Sequence, residues 1–326
     1  RHLEGSLRLV TLLEVARAYG LDLPGTDRLR PMVQIDQTDP LTSQNFLSKF
    51  DTLREFYRSP EVIARLTEEA IADAAADNVR YLELRFTPVA LSKVEDFPMN
   101  EVMDWVIQGV SEAGTKYDIH TRLIASINRH ESLDLASQVI ELAIERIEDG
   151  IVGVDLAGNE AEFPMAPFAP LFQEARQSGM HITVHAGEWG GPENIDQAIN
   201  LLGAERIGHG VRIMEDGSVA RQALERQIPF EVCITSNYQS GVVTDLGSHP
   251  LKKMIAAGLN VTLNTDDPSI SQITMSNEYQ LACEQLGLSL ETLHERVLAA
   301  INAAFLPVDE RNSLAAALEK EFPPAE

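Results

Sequence analysis

The chain has 326 residues and a mass of 35.9 kDa, with 44% hydrophobic and 23% charged residues, ordinary globular values that supply a large core. Its 26 basic and 50 acidic residues give a net charge of −24, a surface that repels phosphate backbones and anionic lipids and so argues against nucleic acid or membrane as partner. Two cysteines, Cys233 and Cys283, cannot build a disulfide framework, and no apolar run reaches the ~18 residues of a membrane span, so the expected compartment is the cytoplasm.

In chain order, residues 1–6 read as the exit of a strand whose start lies upstream, since the first residue is Arg1 rather than Met. A helix follows over 7–19. The stretch 21–49 has no clear period and is expected to form a lid or cap. Helical spacing then marks 61–76, 99–116 and 133–148, and later 194–202, 218–227 and 250–257. Between them stand short apolar runs rich in β-branched residues: 80–86 (RYLELRF), 121–128 (TRLIASIN), 151–156 (IVGVDL), 181–185 (HITVH), 206–209 (RIGH), 229–233 (PFEVC) and 260–264 (NVTLN). Helices at 281–286, 290–305 and 308–321 close the chain. Strand–helix alternation predicts a parallel sheet, and an eighth strand ending at residues 1–6 would complete a (β/α)8 barrel. No linker or repeat divides residues 1–326, so a single domain with extra C-terminal helices is expected.

Polar residues collect where these strands end, and in a barrel those ends share one mouth. His2, His185 and Asp266 offer two imidazoles and a carboxylate, a donor set suited to Zn²⁺. Asp267, beside Asp266, is expected to point elsewhere and meet substrate. Glu188, three residues after His185, reaches the same cavity as a proton shuttle, and His209 stands ready to orient an attacking hydroxide. The other five histidines, His120, His130, His181, His249 and His294, lack such company and read as surface or capping residues. Glu4 reads either as a charge at the start of the 7–19 helix or as a substrate contact.

The ordered pieces HLEGS, RYLELRFTP, DLAGNE, VHAGE, RIGHG, CITSN and NTDDP resemble the adenosine deaminase family of the amidohydrolase group over residues 1–305. The resemblance implies a TIM barrel holding one zinc through His2, His185 and Asp266, plus a first histidine two positions before His2. It further implies Glu188 as proton shuttle, His209 as partner of a zinc-bound hydroxide, Asp267 on purine N7 and the Gly158 N–H on N3. The hydroxide would add to purine C6 of adenosine or 2′-deoxyadenosine and release ammonia. The chain departs from the pattern at three points. The first histidine of the H-x-H motif is absent from this sequence. Glu4 stands where adenosine deaminases often carry Asp near the ribose 5′ hydroxyl, which keeps adenine and 6-aminodeoxyfutalosine as alternative substrates. The segment CITSNYQSG has Ile234 and Ser240 where the nucleoside form has Pro and Thr, yet it favours a nucleoside.

Three other chemistries fit less well. Resemblance to the same broad amidohydrolase group implies that a two-metal site would use a carboxylated lysine at the end of the 151–156 strand, and none is there. Zinc deaminases of nucleic-acid bases need a Cys-x-x-Cys pair, also missing. A nucleotide needs basic residues at the mouth, where the motifs bring mainly Arg1 and Arg212. A non-catalytic nucleoside-binding barrel is the remaining alternative.

Overall fold

The computed structural model describes residues 1–21 and 26–322. Seven strands run in the expected places: β1 (Tyr81–Phe86), β2 (His120–Asn128), β3 (Ile151–Ala157), β4 (His181–Ala186), β5 (Arg206–His209), β6 (Phe230–Val232) and β7 (Val261–Leu263). All neighbours pair in parallel in the order β1 to β7, and helices pack outside them. Each crossover places the next strand beside the last, so sequence order and spatial order coincide. The result is a curled α/β barrel sheet.

Residues 1–3 occupy the position between the two ends of this sheet. The Leu3 N–H donates to Arg85 O at 2.7 Å, and the Arg85 N–H to Arg1 O at 2.9 Å. On the other side the His2 N–H donates to Asp266 O at 2.9 Å. The expected strand exit is therefore a parallel bridge between His2 and Arg85, and it carries His2 to the carboxyl ends of the strands.

Several boundaries move. The helix expected over 133–148 stops at Ile144, and turns cover the rest. The one expected over 281–286 is Met275–Glu284, because Thr274 and Asn277 form a reciprocal capping box that starts it earlier. The helix after the chain start is Leu9–Tyr19 and has no acidic residue in its first turn, so Glu4 does not serve its dipole. The supposed irregular stretch 21–49 contains helices Thr26–Val33 and Ser43–Leu53, and its residues 22–25 lie outside the described part. This segment is fastened beside the mouth. Gln34 Nε2 donates to Ser269 O at 3.1 Å, the Ile35 N–H to Ile270 O at 2.8 Å, and Gln272 Nε2 to Ile35 O at 2.8 Å. Buried Lys49 donates to Pro31 O at 2.7 Å and to Asp39 at 3.1 Å, which knits the cap internally. No helix among the described residues is long and apolar enough to cross a membrane.

Inside the barrel, the strands carry charge as well as aliphatic side chains. Arg85 pairs with Glu231 and lies 3.4 Å from Asp155. Arg206 pairs with Glu83 and meets Glu231 at 2.8 Å, with its guanidinium 3.5 Å over the Phe305 ring. Both arginines and both glutamates lie in strands, on the alternating positions that face inward. The buried carboxylates hold the Arg85 pKa above its ordinary value despite burial, and the two arginines hold Glu231 below the carboxylate range. The Phe305 N–H donates to Glu83 at 2.6 Å, tying the end of helix Leu290–Ala303 to the barrel interior.

Candidate active site

Three ligand atoms meet where β4, the β7 exit and residues 1–3 converge. His2 Nε2 and His185 Nε2 are 3.3 Å apart, and His2 Nε2 is 3.6 Å from Asp266 Oδ1. All three donor atoms lie within 4.8 Å of one another. A tetrahedral ion with bonds of about 2.0–2.1 Å separates its donors by about 3.3–3.4 Å, so the spacing fits such an ion. The tautomer fits too. His185 Nδ1 lies 3.0 Å from Asp155 Oδ1, so it carries the proton and donates, which leaves the Nε2 lone pair facing His2. His185 and Arg85 act to hold Asp155 below its ordinary pKa against the opposing effect of burial, so it stays an acceptor. His2 is kept neutral, because burial and then the nearby His185 and Arg85 push its pKa well down. At this separation the two nitrogens can share either a proton or a cation. Ser236 Oγ donates to Asp266 Oδ2 at 2.7 Å, which leaves Oδ1 for the cluster.

Asp266 and Asp267 diverge as expected, although for a different reason. Strand β7 has ended, and Asp266 takes a left-handed φ of 56°. His209, at the end of β5, has φ 59°. Such a conformation costs a non-glycine residue roughly 1–3 kcal/mol, and both strained residues face the same cluster. Asp267 turns over Gly5. A Cβ at residue 5 would overlap the Asp267 carboxylate, so only glycine permits this approach. Asp267 Oδ1 is buried without a hydrogen-bond partner. Burial, then Asp266 and Glu4, push the Asp267 pKa well above its usual range.

Glu188 is buried, and its Oε2 lies 3.5 Å from His209 Nε2. Burial, then the charges of Asp266, Glu160 and Asp267, raise its pKa well above the ordinary value. Its backbone is set by Glu160. That carboxylate accepts from the N–H groups of Gly187 at 3.0 Å, Glu188 at 2.6 Å and Gly190 at 2.8 Å, and from Asn194 Nδ2 at 2.8 Å. Glu4 is also buried. It accepts from the Thr87 N–H at 3.0 Å through Oε1, while Oε2 has no partner. Gly158 follows β3 with φ 94°, a region that favours glycine. Arg212 is engaged by Glu215 at 2.8 Å and Trp189 O at 3.0 Å, and Arg1 donates to Ala70 O at 3.3 Å.

A cavity of about 810 Å³ runs from the His2, His185 and Asp266 cluster along β1 and β7 towards the C-terminal helices. Glu4, Gly158, Glu188 and Asp267 are not among the residues that line it.

Sequence reasoning missed the residues that support the cluster: Asp155, Arg85, Glu160, Ser236 and Asn237. Two signals were present. Glu83 and Arg85 alternate within an apolar strand, which marks inward-facing charge, and Glu160 follows directly on the β3 exit. The expectation that His249 lies at a surface or cap is half corrected. It accepts from the Leu251 N–H at 3.1 Å at the start of helix Leu251–Ala256, but it is buried and also reaches Asn237.

Comparison with known proteins gives a consistent picture. The family model described as "Adenosine deaminase" matches residues 1–321. A protein of Klebsiella pneumoniae (strain 342) named adenosine deaminase is 39% identical over 316 residues, covering 96% of this chain and 94% of its own. The structure of adenine deaminase from Arthrobacter aurescens superposes with TM-score 0.91 at 27% identity, over 98% of this chain and 96% of that one. A Burkholderia ambifaria amidohydrolase with bound zinc gives TM-score 0.88 at 26% identity, over 98% and 88%. An Arabidopsis protein, ADAL, solved with IMP, gives 0.88 at 30% identity, over 99% and 95%.

Proposed function

This chain belongs to the adenosine deaminase family and is a hydrolytic deaminase, and on that premise we propose that it converts adenosine and 2′-deoxyadenosine to the inosine products with release of ammonia. A non-catalytic nucleoside-binding barrel is thereby set aside. The reading takes residues 1–326 as one catalytic barrel with one zinc held by His2, His185 and Asp266. When bound, such an ion supplies Lewis-acid activation of water near neutral pH.

The remaining roles belong to the chain's own side chains. Adding water across the C6–N1 bond of a 6-aminopurine places a hydroxyl on C6 and a proton on N1. Glu188, whose carboxyl pKa is raised by burial and the surrounding negative charge, delivers that proton and takes up the one the attacking water gives up. It then passes a proton to the departing amine and recovers one from the new hydroxyl, so ammonia leaves and the carbonyl forms. His209 Nε2 directs its N–H at the incoming oxygen. Asp267, whose pKa burial pushes up, faces the N7 acceptor as the donor when its carboxyl carries a proton. The Gly158 N–H meets N3. Glu4 lies beyond, towards the sugar.

The observation that carries this reading is the convergence of three ligand atoms with a raised-pKa carboxyl beside them. Glu4 favours a second reading. Its buried Oε2 lacks a partner in a position where Asp is common among nucleoside enzymes, which suits adenine or 6-aminodeoxyfutalosine. The test is ammonia release from adenosine, 2′-deoxyadenosine, adenine, 6-aminodeoxyfutalosine and AMP supplied separately, with the metal measured per chain. Adenosine turned over fastest with about one zinc per chain is the expected result. A higher kcat/KM for adenine, 6-aminodeoxyfutalosine or AMP overturns the substrate. Glu188→Gln is expected to keep the metal and lose at least 10²-fold in kcat, and turnover within a few-fold of the parent overturns its role.

A further inference from the structure

The geometry points to His249 and Asn237 as positioning residues that fix the tautomer of His209, so that its Nε2 carries the proton and faces the reaction centre as a donor. This rests on the reading of His209 as the group that meets the incoming oxygen, but the tautomer itself is a separate matter.

A backbone amide anchors this set of contacts, because its donor cannot be reassigned. The Leu251 N–H donates to His249 Nδ1 at 3.1 Å. That nitrogen is therefore an acceptor, and the proton of neutral His249 sits on Nε2. His249 is neutral because burial alone pushes its pKa down to about 4. Its Nε2 lies 3.4 Å from Asn237 Oδ1, which must accept. The amide orientation of Asn237 follows, and its Nδ2 donates to His209 Nδ1 at 3.1 Å. His209 Nδ1 is then an acceptor, and its proton is on Nε2.

Reversing any link sets two donors against each other. With Asn237 turned about, its NH₂ would face the protonated Nε2 of His249, and moving that proton to Nδ1 would oppose it to the Leu251 N–H. All three side chains are buried, so water does not relieve the conflict. The far end of the chain is consistent with this, since His209 Nε2 faces Asp266 Oδ2 at 3.8 Å, an acceptor. The same logic separates His209 from a metal role. His209, Cys233 and Asp266 also bring donor atoms within 4.8 Å, but a protonated Nε2 has no lone pair for an ion.

The experiment is nitrogen-15 NMR of the metal-loaded protein with labelled histidine, in the parent and three variants. In the parent, Nε2 of His209 is expected to bear the proton and Nδ1 to be bare. A protonated Nδ1 overturns the proposal whatever the activity. Asn237→Asp replaces the donor by an acceptor, so Nδ1 should become protonated, with kcat down about 10³-fold and metal content unchanged, since a misplaced imidazole proton costs up to about 10⁴ in rate. An Asn237→Asp protein whose Nδ1 stays bare also overturns it. His249→Leu removes the anchor and should lower kcat 10-fold or more with little change in KM. His249→Gln can accept from Leu251 and donate to Asn237, and should recover most of the loss; equal kcat in the two His249 variants counts against the relay. Failure of all proteins to deaminate any purine strikes at the proposed function alone, because the tautomer is read without turnover.

Discussion

Replacing Glu160 by Gln tests how the loop bearing Glu188 is held. The carboxylate takes four hydrogen bonds, two per oxygen: Glu188 N–H and Gly190 N–H on Oε1, Gly187 N–H and Asn194 Nδ2 on Oε2. A Gln amide must turn its NH₂ towards one pair. Facing Oε1's partners, it would oppose two backbone donors that cannot rotate. Facing the other pair is gentler, because Asn194 can flip its amide and offer an oxygen. Even then the Gly187 N–H is left buried without an acceptor, at a cost of about 1–3 kcal/mol. The surviving bonds lose their charge assistance, which adds about 1 kcal/mol. The total, about 3 kcal/mol, falls on the loop conformation rather than the barrel, since the loop can open while β4 stays paired. It corresponds to about 10²-fold in the population of the ordered loop. We expect kcat/KM to fall 10- to 100-fold, the amides of Gly187 and Glu188 to exchange faster with solvent, and metal content to hold. Removing the Glu160 charge also removes one cause of the raised Glu188 pKa, so the basic limb of the pH–rate profile moves to lower pH. Unchanged amide exchange together with kcat/KM within three-fold of the parent would refute the reasoning.

Asp155→Asn leaves His185 Nδ1 facing an amide in place of a carboxylate, and metal affinity measured by competitive chelation should weaken about 10- to 100-fold; unchanged affinity would show that Asp155 does not orient the ligand. Gly5→Ala drives a methyl group into the Asp267 carboxylate, and the side chain must move. We expect kcat/KM to drop by more than 10-fold with the thermal midpoint lowered, and a fully active, equally stable variant would show that the close approach is dispensable. Buried Glu278 has its pKa raised by burial to about 7 from an ordinary 4.5. The folded state therefore binds the proton more tightly, so the associated stability is complete below pH 4.5 and is lost as pH rises through 7. The full swing is about 3 kcal/mol, and urea unfolding between pH 5 and 8.5 should show that loss in the parent and a flatter curve in Glu278→Gln. Parallel curves for the two proteins would exclude it.

Much of this protein is legible along the chain. Strand and helix periods are local properties, and each of the seven strand runs became a strand within a residue or two of its expected ends. The parallel order followed from the alternation, because a strand–helix–strand unit has little freedom in where its second strand goes. The residues of the candidate metal cluster and Glu188 also stood out, since they sit at strand exits, and a barrel brings those exits together. The capping box at Thr274 was missed in a weakly amphipathic segment, and the helix at Thr26–Val33 because it is short, polar and holds Pro31 inside it.

Tertiary structure alone decided the electrostatics. Asp155 is 30 residues from His185 in sequence, Glu231 is 146 from Arg85, and Asp267 has its carboxyl against Gly5 at the other end of the chain. No local pattern encodes such pairings, because they depend on which side chains turn inward at the same height of the barrel. Proton placement is of the same kind. Whether Glu188 and Asp267 hold protons, and on which nitrogen His209 carries its own, is set by burial and by neighbours brought from distant strands. The amino-acid sequence determined which groups reach the mouth; only their packing into a low-dielectric space determined the charge state each one has there.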